Sequence, residues 1–330
     1  MNIAVLGNGG FGTAMAVSLA RGAHRVALWG HDALYTQEIA RTRRNPRYLE
    51  EVVLPDSVLV TAEGGAALDG AELVLVAVPT QHVRRVLESL RAALPVGVPM
   101  VSLAKGLEQA TGLRPTEVIR EVLGPAAPVA ALSGPSHAEE IARDLPTTVV
   151  VASPAEALVR QLQAALTTRT FRVYRHTDVL GLELCGALKN VMALAAGIAD
   201  GLGYGDNAKA AILARGIVEM ARYGQALGAD LRTFHGLAGV GDLAVTAFSR
   251  HGRNRAFGER IGRGATLAEA LAASPKVAEG VWTSQVLAQA ARVRGVDMPI
   301  AAAVAAVLYE GWSPAAAVRA LMERDPKAEA

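Results

Sequence analysis

Gly7-Asn8-Gly9-Gly10-Phe11-Gly12 has the spacing G-x-G-x-x-G, and it constrains this chain more than any other stretch. It follows the apolar run Ile3–Leu6 and opens a helical pattern over Phe11–Arg21, and the apolar run Val26–Trp29 comes next. Strand, glycine turn, helix and second strand within about 30 residues make a dinucleotide-binding βαβ unit. In such a unit Gly7 permits the tight turn. Gly9 lets a pyrophosphate approach the backbone, and Gly12 lets the helix pack close to the strand. The helix N-terminus offers the phosphates free N–H groups and the positive end of its dipole. Without these flanking elements the spacing would describe any glycine-rich turn.

The pattern that starts there continues. Apolar runs recur at Val58–Val60, Leu73–Val78, Met100–Leu103, Val129–Leu132, Thr147–Val151 and Phe171–Tyr174, with amphipathic stretches such as Gln81–Leu94 and Pro115–Leu123 between them. Strands alternating with helices predict a parallel sheet covered on both faces, and runs that are apolar throughout fit strands buried on both sides. From Val179 onward no strand pattern is found. Helical patterns cover Leu180–Asp200, Ala208–Leu227, Arg255–Ile261, Thr266–Ala273, Thr283–Val293, Ile300–Tyr309 and Pro314–Met322. The expected fold is α/β: a Rossmann-like, doubly wound parallel sheet over residues 1–177, which would hold a dinucleotide. An all-helical domain over 178–330 would carry substrate and catalysis. Two domains also suit 330 residues, and 51% hydrophobic against 19% charged residues supplies their cores.

A net charge of +2 is too balanced for an electrostatic nucleic-acid binder. The single cysteine, Cys185, allows no internal disulfide and fits a reducing cytosol. His31, His137, His235 and His251 form no ligand spacing with Asp, Glu or Cys, so no metal is expected. The N-terminus lacks the charged segment and cleavage site of a signal peptide. No uncharged apolar run reaches the roughly 18 residues of a membrane span, and Met298–Leu308 reads as the richest. The expected location is therefore cytoplasmic, with no membrane insertion. Lysine occurs only at 105, 189, 209, 276 and 327, among 33 basic residues. Unlike arginine, lysine can be tuned for proton transfer, which draws the eye to those five.

The end of the second strand bears on which dinucleotide is taken. NAD-selective units carry an acidic residue there for the ribose 2′-hydroxyl. Here the sequence is Trp29-Gly30-His31-Asp32, the acid comes late, and Arg43, Arg44 and Arg47 follow. A 2′-phosphate is compatible with this pattern, so an NADP-competent site is expected, with NADP or NAD as the cofactor.

Several motifs, in order along nearly the whole chain, resemble the bacterial type of NAD(P)-dependent glycerol-3-phosphate dehydrogenase. They are Gly7–Ala14, Trp29-Gly30-His31, Asn45-Pro46-Arg47-Tyr48-Leu49, Ala104-Lys105-Gly106-Leu107-Glu108 and Ser133-Gly134-Pro135-Ser136-His137-Ala138. Ala187-Leu188-Lys189-Asn190-Val191, Gly239-Val240-Gly241-Asp242-Leu243 and Gly252-Arg253-Asn254-Arg255 complete the set. The resemblance implies reversible hydride transfer between a nicotinamide and dihydroxyacetone phosphate, giving sn-glycerol 3-phosphate for phospholipid synthesis, and a homodimer. It implies Lys189 as proton donor and acceptor with Asp242 beside it. Lys105, Gly134, Ser136, Lys189, Asp242, Thr246, Gly252, Arg253 and Asn254 would surround the small phosphorylated substrate. Gly7, Gly9, Gly10, Phe11, Gly12, His31, Tyr48, Lys105, Ala138, Arg253, Val277 and Glu279 would line the cofactor. The chain departs from the family at Phe11, where Trp or Tyr is usual, and at Gly252, where Ser is frequent.

The residue chemistry agrees with that reading. Hydride addition to a ketone puts negative charge on oxygen, which a positioned ammonium stabilises and protonates. Lys189 lies in an apolar helical stretch where desolvation favours the neutral amine. Asp242 would orient it, or cap the helix that follows, or both. Thr246 falls one turn later on the same face. Arg253 offers a planar fork to a phosphate. Cys185, one turn before Lys189, reads as a small core residue rather than a nucleophile. Two other functions remain open at this point. One is a hydroxyacid dehydrogenase with a carboxylated substrate, and the other is a dinucleotide sensor without catalysis.

Overall fold

A computed structural model describes residues 1–22, 24–249, 252–273, 278–326 and 328. Val277, expected to line the cofactor, and His251 lie outside the described residues. The chain divides into two compact units, Met1–Glu183 and Leu184–Ala330.

In the first unit the strands are β1 (Asn2–Leu6), β2 (Arg25–Trp29), β3 (Arg44–Asn45), β4 (Leu49–Val53), β5 (Val58–Thr61), β6 (Leu73–Val76), β7 (Met100–Ser102), β8 (Val129–Ser133), β9 (Thr147–Ala152) and β10 (Phe171–His176). The helices are α1 (Gly10–Ala20), α2 (Ala33–Thr42), α3 (Gly64–Leu68), α4 (Val83–Leu90), α5 (Pro115–Leu123), α6 (Ala138–Ala142) and α7 (Glu156–Leu166). Eight strands form one sheet in the order β10-β9-β8-β7-β6-β1-β2-β5. Alternate residues of β1 feed opposite cores. Ile3 and Val5 join Met15, Leu19, Leu28 and Val101 on one face, while Ala4 and Leu6 join Val74, Val76, Val83 and Leu87 on the other. That two-sided burial is why the strand runs are apolar throughout.

Every apolar run singled out in the first 177 residues is a strand of this sheet. The sheet is parallel from β5 across to β8, but β9 pairs antiparallel with β8 and β10 runs with β9. The chain builds outward from β1 to β5 and then returns to β6 on the other side of β1. The reversal falls between β1 and β6, where open α/β sheets place a ligand crevice beyond the strand carboxyl ends.

The second unit is helical among the described residues. Helix α8 (Val179–Gly201) begins within the first unit and continues into the second. It is followed by α9 (Asp206–Ala226), α10 (Leu231–His235), a π-turn over Leu237–Gly241, α11 (Asp242–Phe248), α12 (Arg253–Gly262) and α13 (Leu267–Ala272). Then come α14 (Glu279–Arg294), α15 (Pro299–Tyr309) and α16 (Pro314–Met322). Helix α8, not the stretch near Met298, is the most apolar long segment. By length and composition it could cross a membrane, but 89% of its most apolar window is buried within the fold, as in a core helix.

Candidate active site

The glycine loop occupies the switch point. Gly7 has φ +116°, a backbone conformation that L side chains rarely adopt, and a β-carbon there would lie 2.9 Å from the Ala77 carbonyl carbon after β6. A β-carbon on Gly12 would lie 1.9 Å from the Gly7 oxygen, so helix and loop close only around glycine. A β-carbon on Gly9 would meet nothing within 4 Å. Gly9 therefore faces open space, while Gly7 and Gly12 are fixed by packing. One at Gly10 would sit 3.3 Å from the Tyr48 oxygen and 3.7 Å from Ala138 Cβ, so the structure brings three expected cofactor residues together. Phe11 packs half-buried against the core, and His31 is exposed just beyond β2.

Lys105 follows β7 and Gly134 follows β8. Lys105 Nζ donates to the Gly134 oxygen at 2.9 Å and to Ser136 Oγ at 3.3 Å, which gathers these three expected substrate residues. The Lys105 loop is braced from below. Arg84 donates to both oxygens of Glu108 at 3.0 and 2.8 Å, and Thr111 donates to the same carboxylate at 2.6 Å. Hydrogen bonding from Arg84 keeps the Glu108 carboxyl below the usual range. Gln81 grips the loop backbone from both ends of its amide, at Leu107 and Gln109. Sequence reasoning gave these bracing residues no role, because their partners lie 24 to 28 residues away.

In the helical unit Lys189 on α8 is buried. Its Nζ donates to Asp242 Oδ1 at 2.5 Å and to Thr246 Oγ1 at 2.7 Å. Thr246 Oγ1 in turn donates to the Asp242 carbonyl oxygen at 2.6 Å. Asp242, the first residue of α11, is delivered by the π-turn, a geometry that recurs at functional sites. Gly239 makes that turn possible, since a β-carbon there would lie 1.8 Å from the Phe234 oxygen. The turn has no apolar period, which is why the sequence shows only a glycine-rich segment here.

Asn190 Oδ1 accepts from Asn254 Nδ2 at 2.9 Å, and Asn254 Oδ1 accepts from the Gly280 N–H at 3.0 Å. The Asn254 amide thus ties the starts of α12 and α14 to α8. Glu279, half-buried, opens α14 beside that tie. Arg253 is exposed at the first position of α12. Gly252 precedes it, and a β-carbon there would lie 2.6 Å from the Thr246 oxygen, so α12 starts closer to α11 than a serine would allow. Cys185 is buried, with Sγ 3.9 Å from the Thr233 oxygen, as a core residue would be.

Residues 2–159 match the family model described as the N-terminus of NAD-dependent glycerol-3-phosphate dehydrogenase, and residues 178–319 match the model of its C-terminus. The chain belongs to this glycerol-3-phosphate dehydrogenase family. Among relatives, the glycerol-3-phosphate dehydrogenase (NAD(P)+) of Chlorobium limicola is 47% identical, covering 100% of this chain and 99% of its own. That of Geobacillus kaustophilus is 48% identical, covering 99% and 96%. The crystal structure of glycerol-3-phosphate dehydrogenase from Coxiella burnetii matches with TM-score 0.93 at 36% identity, covering 98% of this chain and 99% of that one. A ketopantoate reductase from Ralstonia eutropha (19% identity, TM-score 0.61) and a D-mandelate dehydrogenase (14%, 0.63) share the fold alone. Full-length membership supports the phosphorylated-substrate reading over the two alternatives.

The glycine loop fits the dinucleotide of this family. Its backbone is closed on the protein side by Gly7 and Gly12 and open at Gly9, which is the cradle a pyrophosphate needs.

Proposed function

We propose that the chain catalyses the reversible reduction of dihydroxyacetone phosphate to sn-glycerol 3-phosphate with NADPH or NADH, supplying glycerol 3-phosphate for phospholipid synthesis. The observation that carries this reading is the buried Lys189–Asp242–Thr246 cluster. The nicotinamide, when bound, supplies or accepts the hydride. Lys189 stabilises the charge that develops on the substrate oxygen and gives it a proton. Asp242 and Thr246 hold the ammonium by two hydrogen bonds, so little reorganisation is needed at the moment of reaction.

Arg253 takes the substrate phosphate through its fork. Lys105, Gly134, Ser136, Gly252 and Asn254 complete the substrate's surroundings, with Asn254 acting partly through its tie to Asn190. Gly7, Gly9, Gly10, Phe11, Gly12, His31, Tyr48, Lys105, Ala138, Arg253, Val277 and Glu279 are proposed for the cofactor. The reading also carries a dinucleotide domain over residues 1–177, a catalytic domain over 178–330, a homodimer and a cytoplasmic location. Its test is oxidation of NADPH, followed by absorbance, on adding dihydroxyacetone phosphate. An absence of substrate-dependent oxidation with either NADPH or NADH would remove the proposed activity.

A further inference from the structure

The three arginines after β2 differ in what they do. Arg43 donates to the Pro55 and Val58 oxygens, which commits it to the turn before β5. Arg44 lies exposed on the two-residue strand β3. Arg47 lies over the Tyr35 ring, 3.8 Å from its centroid, and its Nη1 donates to Asp32 Oδ2 at 3.3 Å. Asp32 is the acid that comes late after β2. Its other oxygen accepts from the Tyr35 N–H at 3.0 Å and caps α2.

This pair is held against the glycine loop. Tyr35 Oη donates to Asn45 Oδ1 at 2.5 Å and accepts from the Arg47 N–H at 3.0 Å. Asn45 Nδ2 donates to the Asn8 oxygen at 2.8 Å and to Thr13 Oγ1 at 2.7 Å. One buried amide thus pins the β3–β4 hairpin, and with it Arg47, to the loop that cradles the dinucleotide. The Arg47 side chain remains more than half exposed, so it can meet a ligand while stacked.

Asp32 and Arg47 have opposite preferences. A carboxylate at the end of the second strand accepts from a ribose 2′-hydroxyl, whereas an arginine there accommodates a 2′-phosphate. Left alone, Asp32 would repel the phosphate. With Arg47 bonded to it, its charge is balanced and the guanidinium keeps N–H groups for phosphate oxygens. We propose that Asp32 and Arg47 form the selector through which this chain accepts both dinucleotides, Arg47 taking a 2′-phosphate and Asp32 a 2′-hydroxyl. The proposal rests on the dehydrogenase reading only in that a dinucleotide binds the glycine loop.

Calorimetric titration with adenosine 2′,5′-bisphosphate and with adenosine 5′-monophosphate tests it without turnover. Arg47→Ala should lose roughly 10- to 100-fold in affinity for the bisphosphate and far less for the monophosphate. Asp32→Asn keeps a good helix cap and removes the charge. It should move the ratio the other way, tightening the bisphosphate relative to the monophosphate. Equal losses on both ligands in Arg47→Ala, no loss on either, or a ratio that moves the same way in both variants would overturn the selector. Unfolding temperatures near wild type verify that each variant is folded. A wild-type chain inactive on dihydroxyacetone phosphate would sink the proposed activity while these titrations still decided the selector. Activity with an unmoved ratio would sink the selector alone.

Discussion

In the N-terminal unit the atoms proposed to meet a ligand are backbone groups of a glycine loop and a half-buried lysine amine, all just past strand ends. In the helical unit they are mostly side chains sunk into a bundle and held by one another. Lys189 and Asp242 are 53 residues apart, and Asn190 and Asn254 are 64 apart. The first arrangement depends on where the chain stays bare, as at Gly9. The second depends on mutual satisfaction of buried polar groups, where removing one partner leaves another unpaired. Substitutions should therefore separate binding from stability in the first unit and entangle catalysis with stability in the second.

The sharpest break would come at Lys189. Lys189→Ala should lower kcat about 10²- to 10⁴-fold while NADPH affinity, measured by fluorescence titration, stays close to wild type. It should also unfold more readily, because the buried Asp242 loses its ion pair with the ammonium. A variant that keeps more than about a tenth of kcat would take Lys189 out of the chemistry.

Two glycines test the other side of the contrast. Gly9→Val places its side chain in open space, so melting should hardly change while NADPH binding is lost. Gly12→Val drives a side chain into the Gly7 oxygen, so melting itself should fall. If both variants melt alike, the loop does not divide its glycines between ligand and packing.

Arg253 is the exposed exception in the helical unit and should behave like a binding residue. Arg253→Ala should cost about 10- to 150-fold in kcat/KM with dihydroxyacetone phosphate, the worth of a charge-assisted bond. The cost should be much smaller with dihydroxyacetone, which has no phosphate. Equal costs with both substrates would assign Arg253 to the cofactor or to structure.

Glu219 sharpens the comparison with the least effect on turnover. It is buried on α9 and accepts from the Ile300 and Ala301 N–H groups at the start of α15. Burial pushes its carboxyl up to about 7, against the two backbone donors that favour the charge. A carboxyl raised on folding contributes stability that is complete below its unfolded value near 4.5 and is lost as pH rises through about 7. Urea unfolding should therefore show a loss on the order of 2–3 kcal/mol from this group between pH 5 and pH 8. Glu219→Gln should flatten that slope, and an unchanged slope would place the pH dependence elsewhere.

Much of this was legible in the chain itself. The strands of the main sheet announce themselves because burial on both faces demands continuous apolar runs. Helices α8, α15 and α16 end within a residue or so of where their patterns end. The hairpin β3–β4 was not legible, since two short strands carry no period, and Asn45 entered only as part of a motif. Neither was the reversed direction of β9, whose Thr-Val run reads the same either way. In the candidate site, the residues at strand ends follow from the fold, and Lys189 from the family resemblance together with its apolar setting. The ties made by Gln81, Glu108 and Gly280 did not, because a hydrogen bond between residues far apart in the sequence leaves no local pattern.

Glu183 sits at the seam, in the first turns of α8, and its carboxylate reaches back to α5. It accepts from Arg114 Nη1 and Thr116 N at 2.8 Å each, and from Thr116 Oγ1 at 2.6 Å. The helix that carries it goes on to carry Lys189. A gene truncated before this helix, at codon 177, would yield a sheet domain in which Arg114 keeps Glu117 but loses Glu183, and Thr116 loses its acceptor. A truncation after it would take Lys189 along. Expression of either half alone, split-protein reassembly and intein splicing all face the same obstacle, for the seam is a continuous helix rather than a linker. Ribosomes must also release α8 before the amino-terminal half can close its own buried ion pair, so that half finishes folding only after synthesis of the other has begun.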